Sequence, residues 1–362
     1  MKHARSLLGV VLAAFSLGGC WQTSDVVRTD ALAEGTALPK RAGTVVVDGC
    51  GLDTWQDATL AAPATRRVVQ TVLFLCLVPR ANGEVGPSDP SALGELTRVV
   101  TQLRAEGYRV HLGVSFTDET GARYDGAQTG AFLADTSLRA AWVAALGQRA
   151  RLADGLEIDL QKLDNAARTS VTAFMGELSQ VVRPGAKLGA LLPPSVTTPS
   201  DLPGGDAFDV PLLAQRTDLF RVMTLDFSEQ APGPTIDTGW AVDAVRLAQK
   251  MAPGHPVDIS FPLYGVDFGP KGPRGVSYLE ARGLSAALRG SQVERTAAGT
   301  LHFGYQAATG EGHQVWYDDA SSTGLALSLW SYDVLPANVG VTFYGLGAED
   351  PQLFGTLGAR TP

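Results

Sequence analysis

The sequence predicts an α/β fold, a (β/α)8 TIM barrel with a small α+β insertion between its seventh strand and its last helix. Three observations lead there. Eight short aliphatic runs alternate with helical patterns, the signature of a parallel sheet. At 362 residues the chain is long enough for one barrel of common size plus an insertion. The turn after the first run, Asp48-Gly49-Cys50-Gly51-Leu52-Asp53, lacks the glycine spacing of a dinucleotide loop, which argues against an open doubly wound sheet.

Strands are expected at 44–48, 72–78, 109–116, 155–161, 188–192, 221–226, 257–261 and 340–344. Most are near-continuous aliphatic or β-branched runs, as strands buried on both faces require. Helices are expected near 91–106, 137–151, 165–182, 238–250, 277–288 and 319–332. Asp89-Pro90 reads as an N-cap followed by proline at the first helical position, and Gly107 as a C-cap. The interval from 265 to about 315 is too long for a simple loop. It holds a helix-like segment and strand-like runs at 300–305 and 314–317, hence the insertion.

Ahead of the barrel, Lys2, His3 and Arg5 precede an apolar run from Leu7 to Leu17, so residues 1–20 read as a secretory signal. Its ending, Leu17-Gly18-Gly19-Cys20, resembles the bacterial lipobox, which implies acylation of Cys20. Residues 21–42 are polar and aperiodic, a tether, and 43–358 form the barrel. The expected location is the bacterial cell envelope, lipid-anchored. Trp21 after the cysteine, in place of Asp, favours outer-membrane sorting. Cys50 and Cys76 fall near the ends of consecutive strands. They are either bridged outside the cytoplasm or buried as small hydrophobic thiols.

Composition is that of a globular protein, with 45% hydrophobic and 18% charged residues. A net charge of −8 argues against nucleic acid or an anionic surface as an electrostatic partner. The five histidines show no metal-site spacing. No metal or cofactor is expected, and the chain is expected to act as a monomer.

The segment Asp154-Gly155-Leu156-Glu157-Ile158-Asp159-Leu160-Gln161 carries the chemistry. On a strand, Glu157, Asp159 and Gln161 would share one face, neighbours being roughly 6.5–7 Å apart. Two carboxylates at that spacing perturb each other's ionisation. Gln161 cannot release a proton. The segment resembles the Asp-Gly-x-Asp-x-Asp-x-Glu signature of glycoside hydrolase family 18, the chitinase-like barrels. Further resemblances are Met223-Thr224-Leu225-Asp226 to the family's Met-x-Tyr-Asp strand, and Pro262-Leu263-Tyr264-Gly265 and Val315-Trp316-Tyr317-Asp318-Asp319 to its spore-germination type.

The resemblance implies a site made of Asp154, Glu157, Asp159 and Gln161, with Gln161 standing at the family's acid position. It also implies a glycan-binding set read from the ends of the strands: Trp55, Ser115, Met223, Asp226, Tyr264 and Tyr344. Tyr344 stands for the family's floor tryptophan, and Asp48, Asp53, Phe116 and Asp267 lie at strand ends too. Family 18 enzymes work by substrate-assisted catalysis, with the Glu protonating the leaving oxygen. Here that acid is Gln161, and the tyrosine that supports the acetamido group is Leu225. The expectation is a barrel that binds an N-acetylglucosamine-containing glycan without efficient hydrolysis. Two alternatives stand beside it: a glycosidase using a displaced acid such as Glu229, and a non-catalytic scaffold for an envelope protein.

Overall fold

The computed structural model describes residue 38 and residues 40–117, 126–229, 231–288, 292–331, 335–336 and 338–361. The expected signal, its Cys20 and most of the tether lie outside the described residues. All eight expected strands form: β1 (Gly43–Val47), β2 (Thr71–Pro79), β3 (Arg109–Ser115), β4 (Gly155–Asp159), β5 (Lys187–Leu192), β6 (Leu219–Val222), β7 (Val257–Pro262) and β8 (Gly340–Tyr344). Each pairs in parallel with the next, and β8 returns to β1, so the sheet closes. Closure removes every edge among these eight, which is how a parallel sheet avoids unpaired backbone.

The six expected helices form within a few residues of their expected bounds. Those at Thr54–Ala61, Pro63–Val68, Gly126–Ala134, Val210–Ala214 and Leu353–Arg360 were not foreseen. The first is set by a capping box. Asp53 accepts from Gln56 N (2.7 Å) while Gln56 Oε1 accepts from Asp53 N (3.0 Å), so Asp53 is a helix cap and not a cleft acid. The two strands that carry the expected site motifs are shorter than expected. β4 stops at Asp159, with Lys162 at φ 56° just beyond. β6 stops at Val222, because Thr224 N and Leu225 N turn back onto the carbonyls of Val222 (2.9 Å) and Met223 (2.8 Å).

Residues alternate as the pleat demands. Leu156 and Ile158 of β4 pack outward with Phe174 and Leu178 of the helix layer, while Gly155, Glu157 and Asp159 face the barrel axis. The middle of the barrel is charged. Arg221 of β6 donates to Glu157 Oε2 (2.5 Å) and Oε1 (2.8 Å), to Asp258 of β7, and to Thr342 Oγ1 of β8 (2.6 Å). His111 Nδ1 lies 2.6 Å from Glu157 Oε1. All five side chains are buried. Glycines make the room. A Cβ on Gly155 would fall 2.6 Å from the His111 ring, one on Gly189 2.9 Å from Glu157 Cγ, and one on Gly340 onto Asp258.

The insertion is a separate antiparallel sheet, ordered Gly272–Val276, Gly265–Gly269, Gly312–Tyr317, Leu301–Gln306 and Glu294–Arg295, with the helix Tyr278–Ala287 against it. It has its own core of Val276, Ala281, Leu301, Phe303, Val315 and Tyr317. Asp267, read from the sequence as a rim acid, belongs to this sheet. It is buried and held by Tyr305 OH (2.8 Å), His313 Nδ1 (2.9 Å) and Arg274 Nη2 (3.3 Å). The last residues of the expected tether are docked. Leu38 is buried, with its N–H on Arg360 O (2.8 Å), and Arg41 donates to the carbonyls of Trp330, Leu335, Pro336 and Val339. Cys50 and Cys76 are joined by a disulfide, which settles the alternative left open by spacing.

Candidate functional site

A cleft of about 1020 Å³ opens over the C-terminal ends of β4 to β8. Its floor and walls include Asp159, Gln161, Met223, Leu225, Asp226, Glu229, Tyr264 and Tyr344. This is the end of the barrel at which βα loops gather, so strand-end residues meet there whatever their separation in sequence.

Asp159 sits at the base, almost fully buried. Its carboxylate is held from two sides: Gln161 Nε2 donates to Oδ1 (2.8 Å) and Ser115 Oγ to Oδ2 (3.3 Å). The register places Ser115 directly beside Asp159 on the neighbouring strand, so it supports the carboxylate without lining the cleft. The amide of Gln161 thus offers Asp159 an N–H that it cannot give up as a proton.

Opposite, the chain leaves β6 through Met223, Thr224 and Leu225 into Asp226, whose φ is 55°. Tyr264 OH donates to Asp226 Oδ1 (2.7 Å), tying the loop after β6 to the end of β7. Among the described residues only Lys162 and Asp226 carry side chains at positive φ, and both line the cleft. Such conformations cost roughly 1–2 kcal/mol outside glycine and gather at working sites. Leu225 is 9% exposed and presents hydrocarbon to the cleft. Tyr344 lines it at the end of β8, whereas its neighbour Phe343 is buried edge-on against Phe354. The sequence reading did not find Leu192, Pro193, Phe208 or Trp240, which complete the apolar wall. Nothing in their local pattern separates them from core residues.

Two of the expected catalytic residues lie elsewhere. Asp154 is at the opposite end of the barrel, where its Oδ2 accepts from Val110 N (2.9 Å) and its Oδ1 pairs with Arg104 (3.1 Å). The whole strand Gly155–Asp159 runs between it and the cleft end, so it supports the barrel's N-terminal face. Glu157 shares the face of Asp159, as the alternation requires, but points into the charged middle layer. Burial opposes its charge, yet Arg221 and His111 outweigh burial and hold its pKa near 2, well below the ordinary glutamate value. A carboxylate locked this way cannot act as a proton donor near neutrality. Asp258, across Arg221, is pushed the other way by burial.

Trp55 stands on the rim, 41% exposed and outside the main cleft lining, its Nε1 donating to Glu349 Oε1 (3.2 Å). Burial raises the pKa of Glu349. Phe116 packs edge-on against Trp142 and Phe174 in the helix layer and does not reach the cleft.

No family model and no curated protein sequence matches the chain. Solved structures do share its fold. Chitinase from Chromobacterium violaceum aligns with a TM-score of 0.74 at 22% identity, over 88% of this chain and 99% of that one. The spore cortex-lytic enzyme SleL of Bacillus cereus aligns with a TM-score of 0.74 at 17% identity, over 90% and 75%. A glutamate-to-glutamine mutant of class V chitinase from Nicotiana tobaccum, in complex with NAG4, aligns with a TM-score of 0.65 at 14% identity, over 89% and 98%. At these identities the likeness establishes the TIM-barrel fold.

Proposed function

We propose that the cleft binds an N-acetylglucosamine-containing glycan, of peptidoglycan or chitin type, and does not hydrolyse it efficiently. The carrying observation is the Asp159–Gln161 pair: a buried carboxylate poised at the base of a large cleft, bonded to an amide in place of an acid. Losing a general acid costs about 10²–10⁴-fold in rate. Leu225 withholds a further polar contact at the opposite wall. Recognition keeps its requirements, because aromatic faces at Tyr264 and Tyr344 suit the apolar faces of sugar rings and Asp226 and Ser228 suit hydroxyls. Chitinases and a cortex-lytic enzyme share this barrel, and one glutamine-bearing chitinase mutant was captured with NAG4. Those precedents support the substrate class.

Glu229 lines the same cleft, which favours one second reading, a glycosidase with a displaced acid. Pulldown on chitin and peptidoglycan, run beside a hydrolysis assay on N-acetylglucosamine oligomers, separates the readings. Retention without released product is expected. Turnover that disappears in Glu229→Gln would establish the second reading, and neither retention nor turnover would leave the barrel as a scaffold.

The protein acts, in this proposal, from the bacterial envelope, held by an acyl group on Cys20. The Cys50–Cys76 disulfide supports an exported domain, since such bonds persist in oxidising compartments. Cys20→Ala is expected to shift the protein from the membrane fraction to the soluble one after a salt wash. Persistence with membranes would refute the anchor.

A further inference from the structure

We propose that a second pocket, on the flank of the barrel, binds a carboxylate carried on a short apolar stem, as at the C-terminus of a peptide. The pocket measures about 290 Å³. It lies between the helices Ala92–Ala105 and Thr136–Ala150 and the short strand Val85–Pro87, which folds back antiparallel on β2. Arg80 and Arg149 meet there across Gly86. Arg80 is pinned by Nη2 to the carbonyls of Pro87 (2.6 Å) and Ser88 (3.4 Å), and Arg149 by Nε to Val85 O (2.9 Å). Their remaining ends, Arg80 Nη1 and Arg149 Nη2, come within 3.5 Å and 3.7 Å of the point a Gly86 Cβ would occupy. The missing side chain leaves two guanidiniums facing one space.

Among the described residues no hydrogen-bond acceptor takes Arg80 Nη1 or Arg149 Nη2. No carboxylate among the described residues pairs with either arginine, whereas Arg139, likewise partly buried, pairs with Glu177, and Arg41 turns its guanidinium onto four backbone carbonyls. Both guanidiniums are held in place by backbone bonds, so a ligand would find them pre-organised and lose little entropy in ordering them. An oxyanion seated over Gly86 accepts from both at charge-assisted distances of about 2.7–2.9 Å.

The charge and the walls select the ligand. Glu84 also lines the pocket, so two guanidiniums and one carboxylate leave a formal +1. That matches a monoanion and disfavours a phosphate dianion beside Glu84. Pro87, Leu93 and Ala145 supply apolar wall for the stem. This site is distinct from the glycan cleft and shares no lining residue with it.

The test is calorimetric titration of the purified full-length chain, at low salt, with acetyl-alanyl-alanine, its C-terminal amide and inorganic phosphate. The free acid is expected to bind saturably, with the amide and phosphate each at least about tenfold weaker. Arg149→Met should weaken the acid by about tenfold or more. Gly86→Ala keeps both arginines and meets no atom closer than 3.5 Å, so it folds normally; its methyl fills the shared space and should cost a similar factor. Glycan retention should be unchanged in both variants. Equal binding of acid and amide, phosphate binding as tight as the acid, no saturable binding, or full affinity in Gly86→Ala would each overturn the assignment.

Discussion

Arg221→Met is expected to destabilise the protein by about 3–5 kcal/mol, the range for removing one partner of a buried charge cluster. The loss comes less from missing attraction than from what is left behind. Glu157 and Asp258 would remain in the barrel interior without their shared cation. Urea unfolding at neutral pH measures it. Adding Glu157→Gln should recover part of the loss, because the two sites share one network. An unchanged midpoint in Arg221→Met would mean that the layer is not an interdependent unit. The same layer sets an acid limb. Glu157 has a folded pKa near 2, below its ordinary 4.5, so its contribution is fully present above about pH 4.5 and is lost as pH falls toward 2. Asp258, raised by burial, contributes with the opposite sign, its share being lost as pH rises through its folded value. Glu157→Gln should therefore flatten the fall in stability between pH 4.5 and 2.

The second large effect is a gain. Gln161→Glu would put a carboxyl 2.8 Å from Asp159 Oδ1, where an N–H now sits. Two carboxylates at that distance must share a proton, so one of the pair titrates well above its ordinary value and holds a proton to give near neutrality. The swap is nearly isosteric. Alone it should yield only feeble hydrolysis of N-acetylglucosamine oligomers, since Leu225 still offers no hydroxyl. With Leu225→Tyr added, the rate should rise by about 10²-fold or more over wild type, and by more than the two single changes combined. Reducing-end release reports it. A Gln161→Glu single variant as fast as the double would remove Leu225 from the account, and a double variant that binds glycan but never cleaves it would mean that the cleft lacks more than these two groups.

The barrel was legible because its strands are buried on both faces and so read as uninterrupted aliphatic runs. The alternation in 154–161 also placed Glu157 and Asp159 correctly on one face. What alternation cannot carry is depth along the barrel axis. Asp154, Glu157 and Asp159 read as one constellation, yet one lies at the floor of the fold, one in its middle and one at the cleft. Their roles are fixed by Arg104, Arg221 and Gln161, of which only the last is near in sequence. Asp53 and Asp267 failed for a related reason: a cap and an ion-paired sheet acid have the same local appearance as a cleft acid. The helix at 54–61 escaped because its apolar positions form no clear stripe; the Asp-x-x-Gln of its capping box was the available signal. The cleft's leucines and prolines gave none.

Leu38 and Arg41 bring the chain in beneath β1 and β8, at the end of the barrel opposite Asp159. Anything that holds the protein from upstream of residue 38 therefore pulls on the closed end. Should the upstream segment be fixed to a bilayer as proposed, the attachment and the cleft lie at opposite ends of the barrel. A load between an anchored chain and a polymer held in the cleft would then run through the whole barrel, from β1 and β8 at one end to the βα loops at the other.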